Sequence, residues 1–127
     1  DTGTAVHQIK RRMAVENMFA GTVDATFDAE LTYAVKVFQA SEDVRVDGLV
    51  GPATWSLLFP IVRKQTGQQE GAKAVQALLN LNGYNVGTPD GLFGTGSENK
   101  LKQFQTANGL TSDGICGAAT WAKLCEV

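Results

Sequence analysis

The sequence predicts an all-α protein that consists of two tandem three-helix repeats. When the 127-residue chain is shifted by 66 positions, it aligns with itself without a gap: Asp47-Gly48 falls on Asp113-Gly114, and Trp55 falls on Trp121. Agreement of rare residues in one common register is the signature of an internal repeat. Apolar residues recur at helical spacings in both repeats, and no segment alternates with period two for long, so helices are predicted throughout.

Each helix of the first repeat has its own signal. The first carries Val6, Ile9 and Met13 at spacings of three and four residues, which places them on one face. The second begins after Asp28, whose short polar side chain is a good N-cap for a helix. The third begins at Pro52, because the fixed φ of proline suits the first helical position. The second repeat shows the same apolar spacing, with Val75, Leu78 and Leu79 in its first helix, Leu101 and Phe104 in its second, and Trp121 and Leu124 in its third.

The loops that follow the first and second helices carry a further signal. The second repeat has Gly83 and Gly109 there, and the first repeat has Asn17 and Asp43 at the equivalent positions. Asn and Asp are the non-glycine residues that best tolerate a left-handed backbone. We therefore expect a helix stop with a positive φ at all four residues.

The repeat divides the chain into a diverged repeat at residues 1–59, a linker at residues 60–71, and a second repeat at residues 72–127. The linker is assigned because its sequence is polar and poor in aliphatic residues. Neither repeat is longer than about half of the chain, so the hydrophobic core that either one buries is marginal.

Composition excludes several classes of function. The formal net charge is −2, whereas a protein that binds nucleic acid through its phosphates is normally basic, so no nucleic-acid partner is expected. No apolar run approaches the roughly 18 residues of a membrane span. One histidine and two cysteines are too few for a zinc site of four side chains, and we expect neither a metal nor a cofactor.

Cys116 and Cys125 leave two alternatives open. A helix between them would hold them more than about 10 Å apart, whereas a disulfide needs Cα atoms within about 7 Å. The first repeat has Val50 and Phe59 at these positions, which favours two partly buried thiols. The alternative is an intrachain disulfide, because paired cysteines of secreted proteins usually bond.

The second repeat contains a specific series of motifs. In order, it reads Asp90-Gly91-Leu92-Phe93-Gly94, Phe104-Gln105, Gly109-Leu110, Asp113-Gly114 and Thr120-Trp121. This series resembles the peptidoglycan-binding-domain-1 family, whose members are small three-helix modules attached to bacterial and phage cell-wall hydrolases. The first repeat resembles the family more distantly, because Ala25 and Asp28 stand where the family has glycine.

The resemblance implies a non-catalytic module that is secreted or associated with the cell wall. Its partner would be peptidoglycan, on which it would anchor a fused or associated cell-wall hydrolase. The module itself is expected to be a monomer. The first alternative is a protein-interaction or propeptide domain that uses the same fold. A small cell-wall hydrolase is less favoured, because the repeats fill the chain and no pair of carboxylates stands out as acid and base.

Tyr84 is the first candidate for a ligand contact. It follows the helix-stop glycine and lies among Asn82 and Asn85. An amphipathic ring beside amides suits a sugar or an N-acetyl group, because amides donate and accept hydrogen bonds at once. The alternative is a loop tyrosine that covers the first helix of the repeat. Gln39 and Gln105 recur in both repeats and are either ligand-facing amides or buried amides that bond a loop backbone.

Other prominent residues are interpreted as parts of the fold, and no catalytic residue is assigned. Trp55 and Trp121 are expected in the core, since each has a leucine three residues later on the same helical face. Asp47, Asp90 and Asp113 each stand in a turn, and aspartates there usually bond the amides of their own turn.

Overall fold

The computed structural model describes residues 2–127, and side chains are described from residue 5 onward. The described part of the chain contains six α-helices and two isolated β-bridges. The helices are α1 (Thr2–Ala14), α2 (Ala29–Ser41), α3 (Pro52–Leu58), α4 (Ala72–Leu81), α5 (Thr95–Ala107) and α6 (Ala118–Leu124). Among these, no helix has the length and apolar character needed to cross a membrane.

The helices belong to two compact units. The first unit spans Asp1–Leu58 and the second spans Phe59–Val127, so each unit holds three helices. The prediction of an all-α protein with two three-helix repeats is confirmed.

In the first unit, the helices bury the faces that the apolar spacing predicts. Helix α1 packs against α3. The buried side chains include Ile9 and Met13 of α1, Leu31 and Val35 of α2, and Leu58 of α3. Burying an aliphatic side chain of this size stabilises a fold by about 1.5–3 kcal/mol, so each of these residues contributes substantially to the stability of a small unit.

The helix starts of this unit lie where the sequence predicts them. The Asp28 carboxylate accepts a hydrogen bond of 2.9 Å from the backbone N–H of Leu31, which satisfies one of the donors that a helix start leaves open. Pro52 is the first residue of α3.

Arg12 Nε donates to the carbonyl oxygen of Leu58 at 2.6 Å, and this bond joins α1 to the C-terminal end of α3.

In the second unit, α4 is the central helix and packs against both α5 and α6. Val75 and Leu79 of α4, Leu101 of α5 and Leu124 of α6 have no exposed side-chain surface. Trp121 of α6 is also fully buried, as predicted.

The expected backbone conformation at the helix stops is confirmed. The φ angles are 61° at Asn17, 57° at Asp43, 91° at Gly83 and 72° at Gly109. A positive φ turns the chain out of the right-handed helix, and glycine, asparagine and aspartate adopt it at the lowest cost. The two repeats therefore end equivalent helices in the same way with different residues.

The segment that the sequence assigns as a linker begins with contacts inside the second unit. Val62 exchanges two backbone hydrogen bonds with Cys116, of 3.2 and 2.7 Å. Trp121 Nε1 donates to the carbonyl oxygen of Pro60 at 2.7 Å. The ring of Phe59 meets the indole of Trp121 edge to face, with centroids 5.3 Å apart. This part of the segment is thus bound to the three-helix core.

Two predicted core features differ in degree from expectation. Trp55 is half-buried, whereas its counterpart Trp121 is fully buried. Cys116 and Cys125 are thiols, and their burial is complete instead of partial. Burial raises the pKa of the Cys116 thiol well above its ordinary value, because an apolar surrounding disfavours the thiolate. The disulfide alternative does not match this arrangement.

Candidate functional site

A buried glutamine holds the turn that follows its helix. In the second unit, Gln105 Nε2 donates to Asp113 Oδ1 at 3.1 Å, to the Ile115 carbonyl at 3.0 Å and to Thr120 Oγ1 at 3.1 Å. Its Oε1 accepts a bond of 2.9 Å from the Gly114 backbone N–H. An amide suits this position because it donates and accepts at the same time. We call the arrangement the glutamine clamp.

The glutamine clamp occurs three times in the described residues. Each copy joins a helical glutamine to an Asp-Gly turn and to a hydroxyl on the third residue of the next helix. The three sets are Gln39 with Asp47, Gly48, Leu49 and Thr54; Gln76 with Asp90, Gly91, Leu92 and Ser97; and Gln105 with the residues given above. In each set the hydroxyl residue follows the aspartate by seven positions.

Two of the ligand candidates are members of clamps. The side chains of Gln39 and Gln105 are each 1% exposed, and both ends of each amide bond to the protein. This placement matches the alternative in which a buried amide bonds a loop backbone. Gln76 is not among the residues predicted from the sequence, although its Asp-Gly turn and the serine seven positions after the aspartate repeat the pattern.

A lysine replaces the glutamine at the fourth equivalent position. Lys10 falls on Gln76 when the chain is shifted by 66 positions, and its side chain is fully buried. Its Nζ bonds Asp24 Oδ1 at 2.5 Å and Asp28 Oδ2 at 3.0 Å, and it lies 5.3 Å from the centroid of the Phe19 ring. The glycines of the family are replaced at this turn by Ala25 and by Asp28 itself. The first unit therefore has a charged form of the clamp.

The charges of this cluster stabilise one another. Burial by itself would lower the pKa of Lys10, but the hydrogen bonds and charges of Asp24 and Asp28 outweigh burial and raise it. The hydrogen bond from Lys10 is the main cause that lowers the pKa of Asp24. For Asp28, the backbone N–H of Leu31 contributes most to the lowered pKa, followed by Lys10. All three groups are charged at neutral pH.

The cluster makes the first unit sensitive to acid. Because the folded pKa values of Asp24 and Asp28 lie below the ordinary 3.8, their stabilisation is complete above that pH and is lost as the pH falls through the folded values. We expect Asp24→Asn/Asp28→Asn to lower the melting temperature of the first unit most at pH 7 and progressively less below about pH 4. Thermal melts followed by circular dichroism between pH 7 and pH 2.5 measure this.

The control for this prediction is Asp43→Asn, which removes a carboxylate at a helix stop where asparagine is equally suited to the backbone. That variant should melt close to the wild type at every pH. A difference between the wild type and the double variant that stays constant across the pH range would contradict the proposed role of the carboxylates.

The remaining turn aspartates serve their turns, as the sequence predicts. Backbone N–H groups of Leu49, Leu92 and Ile115 donate to Asp47, Asp90 and Asp113, at 2.9, 2.9 and 3.0 Å respectively. These bonds are the main cause of the lowered pKa of each aspartate. All three side chains are held as carboxylates by their own turns.

In the Tyr84 region of the second unit, only some of the side-chain surface makes contacts within the protein. The half-buried ring of Tyr84 meets Phe104 of α5 edge to face, with centroids 5.6 Å apart. Asn82 caps two helices, since its Nδ2 donates to the carbonyls of Leu78 at 2.8 Å and Leu124 at 3.1 Å. Asn85 is exposed.

Asn85 accepts a hydrogen bond of 2.9 Å from the Gly87 N–H. Tyr84 and Asn85 therefore have solvent-exposed surface that a ligand could contact, whereas the Asn82 amide is mainly engaged in capping the two helices.

The equivalent surface of the first unit is a groove that was not predicted from the sequence. The groove has a volume of about 490 Å³ and lies between residues 17–20 and Ala29, Glu30, Tyr33 and Ala34 of α2. Tyr33 is 71% exposed. The available signal was the spacing of Tyr33 in α2, which places it off the face that Leu31 and Val35 bury. We call this feature the α2 groove.

The titratable residues do not gather into a metal-binding cluster. Over the described range, no three His, Cys, Asp or Glu side chains lie close enough together to hold a metal ion.

Comparison with known families finds one family in both repeats. A family model described as "Putative peptidoglycan binding domain" matches residues 2–58 and again residues 68–124. The two matches are separated by 66 positions, which is the offset of the internal repeat.

Comparison with curated proteins finds relatives that are much longer than this chain. The N-acetylmuramoyl-L-alanine amidase CwlM of Mycobacterium tuberculosis is 37% identical over 77% of this chain and 27% of its own length. The N-acetylmuramoyl-L-alanine amidase CwlL of Bacillus licheniformis is 29% identical over 80% of this chain and 36% of its own. The uncharacterized protein FadG of Bacillus subtilis is 30% identical over 86% and 20%. The chain thus spans about a third or less of each of these relatives.

Proposed function

We propose that this chain binds bacterial peptidoglycan and does not cleave it, because the chain belongs to the peptidoglycan binding domain family in both of its repeats. The observation that carries this proposal is the double family match, which accounts for nearly the whole chain. Two weak sites on one chain suit a polymeric ligand, since the second contact forms at a high effective concentration. The proposed place of action is the cell wall, and the proposed state is a monomer.

The proposed role in a longer protein is to hold a wall-active enzyme on its substrate. Two of the relatives are named as amidases, and this chain covers only 27% and 36% of them. The part of those proteins that has no counterpart here has room for a separate catalytic domain.

The state of the aspartates supports binding without catalysis. A general acid in glycoside hydrolysis needs a raised pKa. Asp24 and Asp28 both bond Lys10, and the pKa values of both carboxyl groups are lowered. The turn aspartates of the glutamine clamps likewise have lowered pKa values. These carboxylates suit the fold better than acid–base chemistry.

The proposed contact surface of the second unit contains Tyr84 and Asn85. The ring of Tyr84 is braced by Phe104, so it is held in place before a ligand arrives and loses little conformational freedom on binding. Its exposed part offers an apolar face and a hydroxyl, which together suit a sugar ring. Asn85 adds an amide at the solvent-exposed edge.

Tyr84→Ala tests this surface. The purified chain is mixed with insoluble peptidoglycan, with chitin and cellulose as control polymers, and the bound fraction is measured after sedimentation. We expect the wild type to sediment with peptidoglycan alone, and Tyr84→Ala to bind about tenfold more weakly, the equivalent of about 1.4 kcal/mol. Leu92→Ala, which removes another exposed apolar side chain of the same unit, should bind as the wild type does.

Two outcomes would contradict the proposal at different levels. If a folded Tyr84→Ala variant binds as tightly as the wild type, the contact surface lies elsewhere. If the folded wild type stays in the supernatant over both intact walls and walls stripped of teichoic acid, the chain does not bind peptidoglycan.

A further inference from the structure

The α2 groove differs in chemistry from the equivalent surface of the second unit. Tyr33, which lines the groove, is 71% exposed, and Val37, which lies one turn along α2 outside the groove lining, is 52% exposed. The second repeat has Asn99 and Gln103 at these two positions. Both repeats form the same three helices, so the fold does not require an apolar surface here. An exposed apolar patch that the fold does not need is typical of a binding surface.

A carboxylate stands at the edge of this apolar groove. Glu30 is exposed, and a Cβ built on Gly21 would be 2.9 Å from Glu30 Oε2 and 2.6 Å from Phe19 Cζ, so the carboxylate lies beside the Phe19 ring. Within the described part of the chain, no hydrogen bond or ion pair engages the Glu30 carboxylate. The second repeat has Gly96 at this position.

The charge of the whole first unit has the same sign. Its sequence contains five basic and eight acidic residues, a net charge of −3, whereas the second unit contains six basic and five acidic residues, a net charge of +1. A groove with an unpaired carboxylate on a negatively charged unit favours a ligand with a positive charge.

We infer that the α2 groove binds the peptide part of peptidoglycan, with Glu30 facing the ammonium group of the diamino acid and Tyr33 covering the small apolar side chains. This inference rests on the proposed function. The glycan strands of peptidoglycan carry no cation, whereas the peptides combine alanine methyl groups with an amine. That combination matches a groove with apolar walls and one carboxylate. The two repeats then contact different parts of the same polymer.

The test is isothermal titration calorimetry on the full chain with a soluble probe, the peptide N-acetyl-L-Ala-γ-D-Glu-L-Lys-D-Ala-D-Ala, whose only amine is that of the lysine. We expect Tyr33→Asn to weaken binding by about tenfold, as for the loss of one aromatic contact. We expect Glu30→Gln to weaken it by about fivefold, and the same peptide with an acetylated lysine amine to bind the wild type equally weakly.

The variants are designed to leave the fold intact. Asparagine is the residue that the second repeat carries at the position of Tyr33, and Tyr33 is mostly exposed. The matched control is Glu42→Gln, which removes a carboxylate at the other end of α2 and should leave the affinity for the peptide unchanged.

Three results would overturn the inference. The first is a peptide affinity that is equal in the wild type and Tyr33→Asn. The second is binding of chitotetraose that Tyr33→Asn abolishes, which would assign the groove to the glycan. The third is self-association in sedimentation velocity that Tyr33→Asn abolishes, which would assign it to a second copy of the chain. If walls still retain a chain that does not bind the peptide, only this inference fails; if neither binds, the proposed function fails as well.

Discussion

Replacing Gln105 with alanine is expected to lower the free energy of unfolding of the second unit by about 3 kcal/mol, since buried groups left without partners cost about 1–3 kcal/mol each. The substitution removes three donated bonds and leaves the Gly114 N–H without its acceptor. For a unit of this size, the melting temperature should fall by more than about 10 °C. Chemical denaturation followed by tryptophan fluorescence and circular dichroism measures the change.

Gln103→Ala is the matched control, because Gln103 lies on the same helix and is exposed. The same chemical change should leave stability within about 0.5 kcal/mol of the wild type. The comparison also separates the two roles that the sequence allows for Gln105. If the Gln105 amide faced a ligand, Gln105→Ala would weaken wall binding and leave the stability of the second unit unchanged. That result would refute the clamp as a source of stability.

A fragment that begins at Phe59 is expected to fold, whereas a fragment that begins at Ala72 is expected to be largely unfolded. The shorter fragment lacks Val62, which is fully buried and exchanges two backbone hydrogen bonds with Cys116. It also leaves the Trp121 indole without its partner at Pro60. These losses amount to about 3–5 kcal/mol, which is close to the whole stability that a core of this size supplies.

Circular dichroism and thermal melting of the two fragments test this expectation. Two substitutions in the full chain serve as a matched pair: Val62→Ala should lower the melting temperature of the second unit, and Ile61→Ala should not, because Ile61 is 64% exposed. Equal melting temperatures for the two fragments would show that the segment before α4 adds no stability.

The helices, their starts and their stops could be predicted because their signals are local. The spacing of Val6, Ile9 and Met13, the cap at Asp28 and the helix stop at Asn17 each depend on a few neighbouring residues and on backbone conformation. The internal repeat strengthened these predictions, since each signal could be read twice. Local rules were therefore sufficient for the fold class.

The clamp at Gln76, its lysine form and the α2 groove could not be predicted in the same way, because they depend on residues far apart in sequence. For Gln39 and Gln105, a buried amide that bonds a loop backbone was one of the two interpretations that the sequence left open. Gln76 and Asp90 are 14 residues apart, and Lys10 meets Asp28 only after α1 and α2 have packed. The repeat alignment does place Lys10 on Gln76, but the meaning of that exchange requires knowledge of what the glutamine bonds. For Tyr84, the sequence indicated the loop but not the support that Phe104 gives it.

The two forms of the clamp have a consequence for how such modules can be recombined. The neutral glutamine requires a turn that contains glycine, and the buried lysine requires two carboxylates as partners. The helix and the turn after it are therefore expected to be exchanged together as one unit. A chimera that moved α4 into the first unit without its turn would place Gln76 opposite Asp24 and Asp28, two carboxylates with no cation. Exchange between modules should therefore respect the boundary after the turn, and residues 10, 25 and 28 should vary together among relatives of the first repeat.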